Sequence, residues 1–230
     1  HVDLASLLMM DWQFSEGQYY MDKALELDPG NSSIIGTVAL HQLGGVEQAI
    51  ILIKKAIQLD PVNHVNYYNL GHQHYLLGNL TEAENAMNMF KKHYPNSGIQ
   101  HYVMSRIKIA QGDLTTAVKE ADLEKVPFFS LYGRNFAYFA AGRHKEADAL
   151  LSELREAYGK TDPANLADIT AFRGEYDQAF EWLNKAVDIR DPVLLEILHY
   201  PSFKEMHKDP RWKELIDRMQ LPADHGYPMP

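Results

Sequence analysis

Glycine followed five residues later by alanine recurs along this chain as Gly44/Ala49, Gly78/Ala83, Gly112/Ala117, Gly142/Ala147 and Gly174/Ala179. The successive alanines are 34, 34, 30 and 32 residues apart. A period of that length, with two helical segments in each, is the signature of a helical repeat array rather than of a single globular core. The most regular copy runs from His64 to Pro95: one helix stops at Gly78, a second begins near Thr81, and Pro95 closes it. Glycine at the stop can enter the left-handed conformation that costs other residues about 1 kcal/mol or more, which allows an antiparallel turn of a few residues. Alanine early in the second helix stays small where neighbouring helices pack closely, with Leu70, Leu77, Met87 and Phe90 filling the space around it.

The register carries in both directions. Leu4, Leu7, Leu8 and Met10 fit one face of an opening helix, and Trp12 and Gly17 take the places of the glycine and the alanine. The following helix, from about Phe14 to Leu27, stops at Asp28-Pro29-Gly30, because proline cannot continue the ladder. Ser32 or Ser33 is expected to cap the next helix, which ends at Gly44-Gly45, and its partner runs from Val46 to Leu59. The fourth hairpin lacks a closing proline, and Glu124-Lys125-Val126-Pro127 makes an irregular junction there. Asp191-Pro192 ends the array. Beyond it come a short apolar helix over Val193 to Leu198 and a cap-plus-proline start at Asp209-Pro210. Trp212, Leu215, Ile216 and Met219 follow at helical spacing, so this last helix is expected to cover the apolar end of the stack. The fold class is therefore all-α, a solenoid of about five to six hairpins. The expected hairpins are 1–31, 32–63, 64–97, 98–127, 128–160 and 161–192, with capping helices over 193–222 and a loose tail over 223–230.

Composition narrows the function classes. At 46% hydrophobic content, 230 residues can bury a substantial core. No apolar run approaches the roughly 18 to 20 residues that span a bilayer, so no membrane insertion by this region is expected. The chain opens at His1 without methionine, which reads as a domain cut from a longer polypeptide and leaves its compartment open, cytoplasmic or periplasmic. Zero cysteines exclude disulfides and thiolate metal ligands. A net charge of −9 disfavours direct binding of nucleic acid, which needs a basic surface to release counterions.

The repeat pattern resembles the tetratricopeptide repeat. In the His64 to Pro95 copy, Tyr67 stands at the bulky aromatic place, Leu70-Gly71 at the Leu-Gly pair, and Gly78, Ala83 and Pro95 at theirs; His74 replaces the usual aromatic and Phe90 the usual small alanine. The resemblance covers nearly the whole chain and implies a right-handed superhelix. In that family the first helices of successive hairpins line a concave groove whose exposed side chains bind an extended peptide or a partner helix. Carried over by alignment, the groove residues are Tyr68, Asn69, His72, Tyr75, Tyr102, Arg106, Tyr132, Phe136 and Asp168. Tyrosine offers amphipathic contact area with little rotamer entropy to lose, Asn69 can pair with a peptide backbone, and Arg106 can hold a carboxylate bidentately. The two-carboxylate clamp of some chaperone-binding members needs more aligned cations than these, so that partner is not expected. A narrower likeness lies in the opening Asp11-Trp12-Gln13-Phe14 with Ala24 to Asn31, and in Ala171 to Pro192 with Asp209 to Pro222. These stretches look like the C-terminal repeat region of bacterial signalling proteins that carry a winged-helix or class III adenylate cyclase domain. Neither output domain lies in these residues, so neither activity is carried over.

Chemistry at a metal or an active site finds little support in the sequence. Of eleven histidines, His72 and His74 form an HxH, with His64, His93 and His101 in neighbouring repeats. Residues two apart on a helix point about 200° apart, and zinc needs three or four convergent ligands, so no metal or cofactor is expected. No nucleophile elbow, HExxH, phosphate-binding glycine loop or cysteine nucleophile is present, and no catalytic residue is assigned. The pairs Glu82/Glu84 and Asp122/Glu124 read as solvated helix faces. The expected function is a non-catalytic scaffold that binds a protein segment. The alternative is a ligand-sensing or regulatory domain of a larger bacterial signalling protein.

Overall fold

The computed structural model describes residues 1–41, 45–95, 97, 99–223 and 225–229; Gly44, the first glycine of the repeat motif, lies outside them. Among the described residues, twelve helices follow one another as six hairpins. They are α1 (Val2–Met10) with α2 (Phe14–Leu27), α3 (Ser32–Leu40) with α4 (Val46–Leu59), α5 (His64–Leu76) with α6 (Leu80–His93), α7 (Gln100–Gln111) with α8 (Leu114–Leu123), α9 (Pro127–Ala140) with α10 (His144–Tyr158), and α11 (Pro163–Phe172) with α12 (Tyr176–Asp188). The single turn α13 (Leu194–Ile197), two 3-10 turns at Pro201–Phe203 and Met206–Lys208, and α14 (Pro210–Arg218) complete the chain. The fold is an all-α helical repeat. Its residues gather into two compact units, Tyr67–Thr161 and, built from both ends of the chain, His1–Asn66 with Asp162–Pro230.

The hairpin turns follow from one backbone device. At Gly112, with φ of 80°, the amide bonds back to Ile109 O at 3.0 Å while the next amide, of Asp113, reaches Lys108 O at 3.0 Å. These two bonds satisfy carbonyls left open at the helix end. Trp12 does the same without being glycine: its φ is 61°, its amide reaches Met9 O at 3.0 Å, and that of Gln13 reaches Leu8 O at 2.8 Å. The place assigned to Trp12 by register is therefore the place it holds in space.

A second regularity fixes how each hairpin closes. Twelve residues before the alanine, the first helix carries a side chain that is absent, small or able to donate to the alanine's carbonyl. Ser105 Oγ donates to Ala117 O at 2.9 Å, and Asn135 Nδ2 to Ala147 O at 2.7 Å. At Gly71 a Cβ would lie 3.2 Å from Ala83 O and 2.8 Å from Met87 Sδ. In the first hairpin the roles are exchanged: Ala5 faces Gly17, where an added Cβ would meet Met9 Sδ at 2.7 Å. Ala83 and Ala117 are fully buried. Ala117→Leu is accordingly expected to cost about 1–3 kcal/mol by overpacking, seen as a lower urea midpoint at unchanged slope.

Three local expectations change. The cap of α3 is Asn31, which accepts from Ser33 N and Ile34 N, and not Ser32 or Ser33. Ser32 is turned inward, donating to Ala56 O at 3.0 Å and accepting from Asn66 Nδ2 at 3.0 Å. Glu124 is not on a solvated face. It is 4% exposed, and its carboxylate takes the amides of Tyr102, Lys125 and Val126, so it satisfies an open donor at the start of α7 and shapes the junction before Pro127. Asp191 repeats the device in the other unit, taking the amides of Ala164 and Val193. In the tail over 223–230, expected to be loose, Ala223, Gly226 and Met229 are exposed, but Tyr227 is buried and Trp212 Nε1 donates to Pro228 O at 2.9 Å.

The discontinuous unit has one core shared by its two segments. Ala5, Met9, Phe14, Met21 and Val38 are buried together, and Leu195 and Leu221 pack against them. On the far side, α14 lies along α12, with Arg211 Nη1 2.8 Å from Asp177 Oδ1 and Arg218 Nη2 2.6 Å from Asp188 Oδ1.

Candidate functional site

Counted back from each motif alanine, fifteen residues gives Tyr68, Tyr102 and Tyr132, and eleven gives His72, Arg106, Phe136 and Asp168. Within Tyr67–Thr161 these two rows meet. Tyr102 and Tyr132 have ring centroids 5.3 Å apart, and Phe136 sits edge-on to Tyr132 at 5.1 Å. The Arg106 guanidinium lies 3.7 Å above the Phe136 ring, and its Nε donates to Tyr75 Oη at 3.1 Å. Tyr68 stacks on His72 at 6.5 Å. A cation held against the face of a ring away from water is an attractive pairing, and large aromatics at successive turns close over it.

That closure changes the picture drawn from the sequence. The groove reading gives these residues exposed side chains, yet Asn69, His72, Tyr75, Tyr102, Arg106, Tyr132, Phe136 and Asp168 are all only 0–7% exposed. Tyr68 alone of the nine is half-buried. Asp168 lies in the other unit, where it accepts a hydrogen bond from Ser202 Oγ. His74 is also buried, near Asn79 Nδ2 at 3.4 Å, and no group of three His, Asp or Glu side chains among the described residues is placed to hold a metal ion.

The same unit has an open concavity of about 260 Å³ where α6, α7 and α8 meet, floored by Met87 and Met104. Its walls are paired charges. Lys108 Nζ lies 2.7 Å from Glu84 Oε1, and His101 Nδ1 lies 2.7 Å from Glu120 Oε2. Lys108 and then Gln111, both hydrogen-bonded to Glu84, hold its carboxyl below the usual range. Sequence reasoning missed this place because its charges come from three helices and fall into no motif. The spacing of Glu84, Met87, Asn88 and Lys91 on one helix face was the available signal.

Residues 66–97 match the family model of the tetratricopeptide repeat. The hairpins around this segment share its geometry, as the twelve-residue offset shows. No curated protein sequence is significantly similar to the chain. Among solved structures, yeast Tom70 is similar in fold, with a TM-score of 0.54 and 20% identity, covering 96% of this chain and 50% of that one. YrrB, described as a TPR protein with an unusual peptide-binding site, gives 0.46 and 18% over 76% of this chain and 94% of that one. A chain of the Naa15/Naa10 structure bound to HypK-THB gives 0.46 and 18%, with 96% and 39% covered. No helix among the described residues is long and apolar enough to cross a membrane.

Proposed function

We propose that this chain is a non-catalytic interaction module that binds a peptide segment or partner helix along the first helices of its hairpins. The supporting observation is the contrast between two rows. The alanine row is constant because packing demands it. Eleven residues earlier the unit Tyr67–Thr161 carries His72, Arg106 and Phe136, all buried. Burying a guanidinium is often no better for stability than an apolar residue of the same size, so this row is chosen for more than packing. Tyr68, one turn before His72 and half-buried, is the point of entry.

The test is capture of partners on the immobilised chain. Tyr68→Ala with Arg106→Met, which preserves buried volume, is expected to abolish capture while the helical circular dichroism stays unchanged. Undiminished capture by that folded variant overturns the assignment. A second reading, a ligand-sensing regulatory domain of a larger bacterial signalling protein, is favoured by the 260 Å³ concavity with its mixed charged lining. It requires a small polar metabolite that raises the melting temperature by mass action, with the rise lost in Lys108→Met.

A further inference from the structure

The chain's last described residues lie in a slot of the unit built from its two ends. Tyr227 is 5% exposed, and its hydroxyl donates to Leu195 O at 2.8 Å. That carbonyl belongs to α13, a helix of one turn, where Leu198 N donates to Leu194 O and Tyr200 N to Ile197 O while Leu195 O is reached by the Tyr227 hydroxyl. The Tyr227 ring stacks on His199 at 4.7 Å and 21°, with His225 at 5.7 Å. One residue on, Pro228 O receives the indole N–H of Trp212 at 2.9 Å. Gly226 approaches the first segment of the unit, its Cα 3.9 Å from the place a Cβ on Gly45 would take. Burial raises the Tyr227 pKa, so the hydroxyl stays a donor.

The segment is therefore held by a buried aromatic anchor and a hydrogen bond to its own main chain, without regular secondary structure. Bound peptides are recognised in this way. A segment from another molecule with tyrosine followed by proline could make the same contacts. We propose that this slot is a binding site for extended peptides presenting Tyr-Pro, and that residues 225–229 occupy it as an intramolecular stand-in for the partner. The tether supplies an effective concentration on the order of millimolar, so an outside peptide meets a site already filled. The slot shares no residue with the Tyr68 and Arg106 face, and its failure would leave that reading untouched.

The experiment uses the full chain and a fluorescent peptide of the sequence of residues 223–230, followed by anisotropy. Tyr227→Ala, which empties the slot, is expected to bind this peptide at least about tenfold more tightly than the unsubstituted chain. A peptide with alanine for the tyrosine should not bind, and Tyr68→Ala should change nothing. If Tyr227→Ala fails to fold, Tyr227→Phe, which loses only the bond to Leu195, takes its place with the same ordering. A folded variant that ignores the peptide, or binds the alanine peptide equally, overturns the proposal. An unsubstituted chain that sediments as a dimer dispersed by the peptide overturns the intramolecular occupancy, since the slot would then hold a neighbour's segment.

Discussion

Phe136→Ala is expected to lower the unfolding free energy of Tyr67–Thr161 by about 3–5 kcal/mol. Its ring is fully buried, stands edge-on to Tyr132, and is the surface on which the Arg106 guanidinium rests at 3.7 Å. Truncation opens a cavity and withdraws a cation–π contact worth about 0.5–2 kcal/mol from a charge that stays behind. Phe136→Leu restores most of the volume but not the π face, so it should recover most of the loss and leave a deficit of that smaller size. Urea unfolding by circular dichroism gives the magnitude. Hydrogen exchange should place the loss in α7 and α9. A cost below about 1 kcal/mol for the alanine variant would mean the guanidinium does not depend on this ring.

Stability is also expected to fall by roughly 3 kcal/mol between pH 6.5 and pH 4, with His199 as the main source. Burial, and secondarily the neighbouring His207, push the His199 pKa down to about 4, against an opposing pull from Glu47. Above pH 6.5 the imidazole is neutral in both folded and unfolded chains, and stability is full. As pH falls toward 4 the unfolded chain takes up the proton and the folded one does not, so unfolding gains. Below about 4 the folded chain protonates too and the loss levels off. His207 and His41, both lowered chiefly by burial, act in the same direction. Urea midpoints at pH 7.5 and pH 4.5 measure the slope. His199→Phe retains a ring to stack on Tyr227 and should flatten it; an unchanged slope assigns the protons elsewhere.

How far the sequence could be read depended on whether a residue answers to a neighbour in register or to one far away. The Gly112 stop, the Ala117 contact and the role of Trp12 all follow from spacing, because each is repeated and repetition reveals what packing requires. Seven of the nine groove residues fall on two rows of the repeat, yet spacing says nothing about how deeply large rings on adjacent helices close over one another. Glu124 sits in a charged stretch and looks solvated; its partner is the amide of Tyr102, and an amide leaves no mark in a sequence. The last residues carry His, Gly and Pro, the composition of a loose end. Their order comes from Leu195 O and Trp212 Nε1, which no local pattern links to Tyr227.

The shared core of Ala5, Met9, Leu195 and Leu221 has a consequence for synthesis. Residues Tyr67–Thr161 are complete in sequence before any of Asp162–Pro230 has been made, and this unit can fold as it leaves the ribosome. The opening hairpins cannot cover their apolar surface until the stretch from Asp162 onward has been made, several seconds later at roughly 5–20 residues per second. During that interval the apolar surface of His1–Asn66 stays open to chaperones and to misassociation, although this segment is made before the unit that can close first.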